Sequence, residues 1–298
     1  MSKTIETIVK LLIFNPEHDL CLANGSRDFV APKSAVEFAR SRASAMQYLY
    51  SDGLCLSAYD AFPAEGITEV VAWGWNAALK KSLVRGGVAE SLLPSDEELA
   101  LWRSLQHRKT LLPLQHDSIA VAYIADMERL IASGNPRWVL KAPWSGAGRG
   151  LHWINGSLCE NDRAWLRKTV AAQGCVLAEP WRDVAADFAL EYISRNGELV
   201  FVGYSLFKAH RGVYRNNVLA ADEQIVEILE QKTSHTTLAN AKLVVEQWLV
   251  ENIVPHYYGP LGVDMIADTA GRIHVCEMNL RHTMGMVAHA KVNGMPLQ

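Results

Sequence analysis

The stretch WVLKAPWSGAGRGLHWI, Trp138 to Ile154, restricts the fold more than any other part of this 298-residue chain. Two apolar runs flank a cluster of glycines, and a lysine stands just ahead of the cluster. Glycine loses more conformational freedom on ordering than any other residue, so the cluster implies a backbone that turns sharply or approaches something closely. Gly146, Gly148 and Gly150 form G-x-G-x-G, whereas the dinucleotide-binding fingerprint is G-x-G-x-x-G opening a helix. The following LHWI reads as a strand, and no G-K-[ST] closes the loop, so a Walker loop is excluded too. What remains is a glycine-rich hairpin with backbone N–H groups free to close over an anion, phosphate being the natural guest. A plain flexible turn explains the glycines equally well. Lys141 lies between Leu140 and Ala142, where it must reach water or meet a partner; an anion at the loop supplies one. A compact ammonium suits a phosphate oxygen. An exposed lysine on an edge strand is the alternative.

The second cluster is GVDMIADTAGRIHVCEMNLRHTMG, Gly262 to Gly285. Strand alternation places Ile273, Val275, Glu277 and Asn279 on one face. With Thr269 and Ala270 as a two-residue loop, Asp264 pairs with Val275 and Gly262 with Glu277. Asp264 and Glu277 are then diagonal neighbours, roughly 7–8 Å apart. Two carboxylates and the Asn279 amide oxygen are hard ligands, suited to Mg²⁺ or Mn²⁺ held with a nucleotide's phosphates and unsuited to zinc. Arg281 and His282 follow at once and add donors for a phosphate or carboxylate. A solvated acidic hairpin is the competing reading.

Net charge is only −3, so no bulk field recruits nucleic acid or an anionic membrane. No apolar run reaches the roughly 18–20 residues of a membrane span, and the first twenty residues lack a signal-peptide pattern, which makes the cytoplasm the expected location. The five cysteines include no C-x-x-C pair, against a disulfide framework or structural zinc. His282 and His289 are too far apart in sequence to suggest a histidine metal pair.

KLLIFN and EVVAWGW, each trailed by a helical pattern, suggest a small α/β domain. Ser95, with Glu98 three positions later, marks a capping box. A helix is expected near IAVAYIADMERLIASG, then strands through WVLKAPW, LHWI, CVLAEPW, FALEYIS and ELVFVGYSLFKA. A helical interval from about Asp222 to Val254 precedes the acidic hairpin. Two segments are candidates for substrate contact. NPEHDLCLANGS contains Asn15, Glu17, His18, Asp19 and Asn24, although turn chemistry also explains these types. FKAHRGVYRNNV gathers Lys208, His210, Arg211, Tyr214, Arg215 and Asn217 between a strand and a helix, as a carboxylate- or phosphate-binding segment would. A solvated loop is the alternative there.

Taken in order, these motifs resemble the ATP-grasp superfamily over roughly Arg108 to Gly285. The resemblance implies an α/β (α+β grasp) fold: an N-terminal pre-ATP-grasp, substrate-facing domain over residues 1–115, a nucleotide-covering subdomain over 116–180, and a metal-binding subdomain over 181–298. Lys141 resembles the family's nucleotide-touching strand lysine. Ser145, Gly146, Ala147, Gly148, Arg149 and Gly150 resemble its phosphate-covering flap. VLAEPWRDVAADFALEYI resembles the hinge, with Glu179 and the backbone at Pro180 and Trp181 at the adenine edge and Asp187 at the ribose. Asp264, Glu277 and Asn279 match the metal triad. Arg281 matches an N-x-R arginine that contacts the transferred phosphate or acyl substrate, which makes Arg281 and Lys141 the implied catalytic residues. QHRKT offers both Arg108 and Lys109 as the early nucleotide-binding cation. Lys208, His210, Arg211 and Arg281 are the substrate-binding candidates. The implied reaction is Mg-ATP-dependent ligation of a small-molecule carboxylate to an amine or thiol through an acylphosphate. A kinase-like phosphotransferase and a non-catalytic ATP-binding module are alternatives, and a homo-oligomer is compatible with the pattern.

Overall fold

The computed structural model describes residues 9–63, 65–146, 150–294 and 297. Strand β1 (Val9–Phe14) lies at the centre of a three-stranded parallel sheet, between β2 (Leu54–Ser57) and β3 (Ile67–Ala72). A strand covered on both faces must be apolar throughout, and Leu11, Leu12, Ile13 and Phe14 are all buried. Leu11 and Ile13 pack with Leu79, Leu83 and Val88. Leu12 and Phe14 pack with Met46, Leu49 and Trp73, and also with Met286, Val287 and Ala290 of the helix Met284–Asn293. That helix, far away in sequence, thereby docks on the N-terminal sheet. The short β2 carries too few residues for its alternation to stand out in the sequence. The capping box forms as expected: Glu98 N–H donates to Ser95 Oγ (3.1 Å) and Ser95 N–H to Glu98 Oε2 (2.7 Å), opening the helix Asp96–Leu105.

The second sheet has the order β4-β7-β5-β6, from β4 (Ile119–Val121), β5 (Arg137–Lys141), β6 (Leu151–Asn155) and β7 (Val176–Pro180). Ile119 to Val121 pair with β7 instead of beginning a helix, which starts only at Ile124. The glycine-rich stretch is a β5–β6 hairpin: Lys141 faces Leu151, and Ala142 N–H donates to the Gly150 carbonyl at 2.8 Å. Ala147, Gly148 and Arg149 lie outside the described residues.

The third sheet is antiparallel, with the order β10-β9-β8-β11-β12, from β8 (Val184–Arg195), β9 (Glu198–His210), β10 (Val213–Val218), β11 (Gly259–Asp268) and β12 (Ile273–Asn279). Phe188, Leu190 and Tyr192 of β8, with Val263 and Met265 of β11, face the helices Asp222–Glu230 and His235–Asn252 across the main core. The alternate residues face a cavity. FKAHRGVYRNNV is not a loop between a strand and a helix. It is the β9–β10 hairpin, turning at Arg211 and Gly212 with φ of 50° and 72°. Two successive positive φ values are the signature of a twist-matched two-residue turn.

The β11–β12 register also differs from the expected one. Asp268 Oδ1 accepts the N–H groups of Ala270 (2.9 Å) and Arg272 (3.0 Å), making a longer turn in which Ala267 faces Ile273. Met265 then faces Val275, but Asp264 faces Glu277 and Gly262 faces Asn279. Cys276 is therefore a bulge residue, and side-chain alternation flips across it. Ile273 and Val275 pack on the core with Met278 and Leu280, while Glu277 and Asn279 face the cavity. Among the described residues, no helix is long and apolar enough to cross a membrane.

Candidate active site

All three sheets border one cavity of about 650 Å³. The four-stranded sheet contributes Val139, Lys141, Leu151, Trp153 and Glu179; the five-stranded sheet contributes Asp187, Glu191, Asp264, Cys276, Glu277 and Asn279. Phe14, Glu17, Asp19 and Phe38 come from the N-terminal domain.

Lys141 Nζ lies 2.7 Å from Glu179 Oε2, so its partner in the described structure is a protein carboxylate. Burial alone would lower the lysine's pKa; Glu179 more than offsets this and holds it above the ordinary value. Glu179 Oε1 is buried without a hydrogen-bond partner, an acceptor suited to an N–H donor on a ligand. Val139, Leu151, Trp153 and Ile266 line the cavity with it as an apolar wall. Asp187 also lines the cavity, and burial raises its carboxyl. The backbone N–H of Trp181 is already engaged within the sheet. It donates to the Arg137 carbonyl (3.0 Å), and the Trp181 ring packs edge-on against Trp153 at 4.8 Å. The Pro180 carbonyl accepts from Arg182 Nη1 at 3.1 Å.

Asp264, Glu277 and Asn279 converge with two arginines. Arg108 Nη2 lies 2.6 Å from Glu277 Oε1 and 3.1 Å from the Ser145 carbonyl oxygen, while Arg108 Nη1 donates to Ser145 Oγ at 2.7 Å and to the Ala142 carbonyl. One buried guanidinium thus ties the base of the glycine hairpin to the acidic hairpin. Arg281 Nη2 donates to Asn279 Oδ1 (2.9 Å) and to Asp19 Oδ2 (2.9 Å), and Nε to Asp19 Oδ1 (3.1 Å), a bidentate pair. Gly146 is required at this junction, because a Cβ there would lie 2.3 Å from Asp19 Oδ2. Burial, then the charges of Glu277 and Glu191, push the Asp264 carboxyl far above the usual carboxylate range. Arg108 pairs with Glu277, Arg281 donates to the Asn279 amide oxygen, and Asn279 Nδ2 donates to Asp264 Oδ2 at 3.3 Å; the set is all oxygen, the donor chemistry that suits a hard divalent cation.

Of Arg108 and Lys109, Arg108 is buried and lines the cavity, whereas Lys109 is exposed and does not line it. Lys208 and His210 do not line the cavity. Phe207 and Ala209 line the cavity, so their neighbours on β9 point away from it, and Arg211 is exposed in the turn. Tyr214 and Asn217 of that segment do line it. His282 is buried outside the cavity: Nδ1 faces the carbonyls of Ala72 (3.1 Å) and Trp73 (3.2 Å), and Nε2 the Tyr50 hydroxyl (2.7 Å). Asn15 and His18 serve the N-terminal domain's interior, bonded to Gly74 and Asn76, and Asn24 is exposed.

Glu191 is a cavity residue not anticipated from sequence. It accepts from the hydroxyls of Ser205 (2.8 Å) and Thr283 (2.8 Å), and burial raises its carboxyl to about 7. The signal was available, since an acid inside the apolar run FALEYI is as unusual as Lys141 in its own strand.

No protein-family model and no curated protein matches the chain. Solved structures do. An N5-carboxyaminoimidazole synthetase from Staphylococcus aureus with ADP is 15% identical at a TM-score of 0.56, covering 97% of this chain and 78% of that one. A carboxyaminoimidazole ribonucleotide synthase from Aspergillus clavatus with ATP is 12% identical at 0.55, covering 97% and 77%. A D-cycloserine synthetase is 14% identical at 0.55, covering 95% and 98%. The chain has the ATP-grasp fold, an N-terminal α/β domain followed by the two-part grasp.

Proposed function

We propose that the protein is a Mg-ATP-dependent ligase that joins a small-molecule carboxylate to an amine or thiol. The observation that carries this reading is the convergence of Asp264, Glu277 and Asn279 with Arg108 and Arg281 beneath the glycine hairpin. The similar structures include ATP- and ADP-bound ligases, which supports the same reaction class. In this reading residues 1–115 face the acceptors, 116–180 cover the nucleotide and 181–298 carry the metal ligands.

Phosphoryl transfer needs positioning and charge neutralisation more than covalent help from the protein. Glu179, with its free acceptor oxygen, and the apolar wall of Val139 and Leu151 would hold the base. Asp187 would take the ribose hydroxyls. Lys141 and Arg108 would exchange their carboxylate partners for phosphate oxygens, and Arg281 would orient the acid whose oxygen takes up the γ-phosphoryl group. Asp264, Glu277 and Asn279 would hold Mg²⁺, which supplies neutralisation of the phosphate charge. The glycine hairpin would exclude water, protecting the acylphosphate until the amine or thiol attacks its carbonyl carbon and phosphate leaves.

The test is calorimetric titration of ATP with and without Mg²⁺, on the wild type and on Glu277→Gln. Mg-dependent binding lost in the variant is the expected result, followed by ADP release that requires both an acid and an acceptor. No binding to the wild type would remove the ligase reading. ADP release with the acid alone would make the protein a phosphotransferase.

A further inference from the structure

The cavity's N-terminal wall is chemically unlike the rest. Phe14 and Phe38 lie with ring centroids 6.4 Å apart, and Phe14 meets Trp73 edge-on at 4.9 Å. Phe38 is 51% exposed, a large apolar surface left open at a cavity wall. Trp73 stacks on His282 at 5.8 Å, and its carbonyl accepts the His282 N–H at 2.9 Å. The aromatic wall is thereby fixed beside Arg281, the adjoining residue. Arg281 is held in turn by Asp19, two positions beyond Glu17. Glu17 lines the same cavity. It is 8% exposed; the Tyr59 hydroxyl interacts with its carboxylate, but Oε2 has no hydrogen-bond partner, and no cation pairs with it in an ion pair among the described residues. A cation, an apolar wall and an acid with no cationic partner therefore border one chamber.

We propose that the carboxylate substrate is an α-amino acid with a large apolar side chain, bound by Arg281 at its carboxylate, by Glu17 at its ammonium and by Phe14, Phe38 and Trp73 at its side chain. The proposal rests on the ligase reading above. The Asp19 carboxylate occupies Arg281 in the absence of substrate, and the substrate's carboxylate takes its place. The ammonium supplies the cation that Glu17 Oε2 lacks, since a buried acid is stabilised by a matched cation. The aryl or branched side chain covers the exposed face of Phe38.

Calorimetry in saturating Mg²⁺ and the non-hydrolysable nucleotide AMP-PNP tests this with phenylalanine of either hand, 3-phenylpropionate and L-alanine as probes. One phenylalanine enantiomer should bind at least about tenfold more tightly than 3-phenylpropionate, which lacks the ammonium, and than alanine, which lacks the ring. Phe38→Ala should weaken phenylalanine by about tenfold, and Glu17→Gln should weaken phenylalanine but not 3-phenylpropionate. AMP-PNP affinity should be unchanged in both variants. The proposal is overturned if a protein that binds AMP-PNP ignores phenylalanine, binds 3-phenylpropionate equally well, or is indifferent to Phe38→Ala. Failure of AMP-PNP itself to bind would instead remove the ligase reading, and this proposal with it.

Discussion

Asp264 stands directly opposite Glu277 across the β11–β12 ladder, and Cys276 is the extra residue that puts it there. Like charges in directly opposed positions destabilise a sheet. This pair persists because Arg108 is ion-paired with Glu277 and Arg281 lies beside Asn279.

At a pH above the raised pKa of Asp264, where both acids are charged, removing one of the two charges should therefore help the metal-free protein. Asp264→Asn is expected to raise its melting temperature by about 2 °C while abolishing the further rise that Mg²⁺ gives the wild type. Thermal denaturation with and without Mg²⁺ checks both halves. Equal protection of the variant and the wild type would exclude Asp264 as a ligand.

Adjacent cations should behave in opposite ways. Arg108→Ala leaves Glu277 without its partner and frees the base of the hairpin, at a cost of about 3 kcal/mol, and should weaken ATP binding by at least about tenfold. Lys109→Ala should stay within about 0.5 kcal/mol of the wild type and bind ATP normally. Denaturant unfolding and calorimetry on the two variants separate these outcomes, and similar behaviour would contradict the burial of Arg108.

A Cβ at Gly285 would lie 1.9 Å from Glu191 Oε1 and 2.4 Å from Ser205 Oγ. Gly285→Ala should cost about 2 kcal/mol by forcing that carboxylate out of its hydroxyl pair. Shortening Glu191 to Asp in the same chain should recover part of the loss. A double variant no better than the single one would show that the strain lies elsewhere.

His282 is buried between Tyr50 and two carbonyls, and burial lowers its pKa to about 4; His18 is lowered to about 4 for the same first reason. Their folded values lie below the ordinary 6.5, so the native state resists protonation. Their contribution to stability is full above about pH 6.5 and is lost as pH falls through about 4. Glu191 has the opposite sign: raised to about 7, it contributes fully below its ordinary 4.5 and loses that contribution as pH rises through about 7. His282→Gln should flatten the acid limb of the stability curve by up to about 1.4 kcal/mol per pH unit. An unchanged limb in urea titrations from pH 7 to 4 would show that His282 does not drive the acid sensitivity.

The readable parts of the chain were those whose cause is local. The Ser95–Glu98 cap and the antiparallel pairing of the strands that flank the glycine cluster depend on residues close in sequence, and both are found. The charges at Lys141, Asp264 and Glu277 stood out because each interrupts an apolar run, and all three border the cavity. Glu191 interrupts one in the same way and went unread for want of a neighbouring motif.

The order of residues already settles that a glycine-rich segment precedes an acidic one, that Arg281 follows the acids, and that the apolar content suffices for a layered α/β fold. Which way the side chains face is fixed only when the sheets assemble. One bulge residue, Cys276, reverses strand alternation and brings Glu277 and Asn279 into the cavity, and the continuous alternation of β9 turns Lys208 and His210 out of it. Arg281 meets Asp19 across 262 positions, and Arg108, not Lys109, is buried. The reason is physical. Local propensity acts over a turn or a strand pair, whereas facing and charge pairing are settled by which surfaces exclude water together, and those surfaces come from distant parts of the chain.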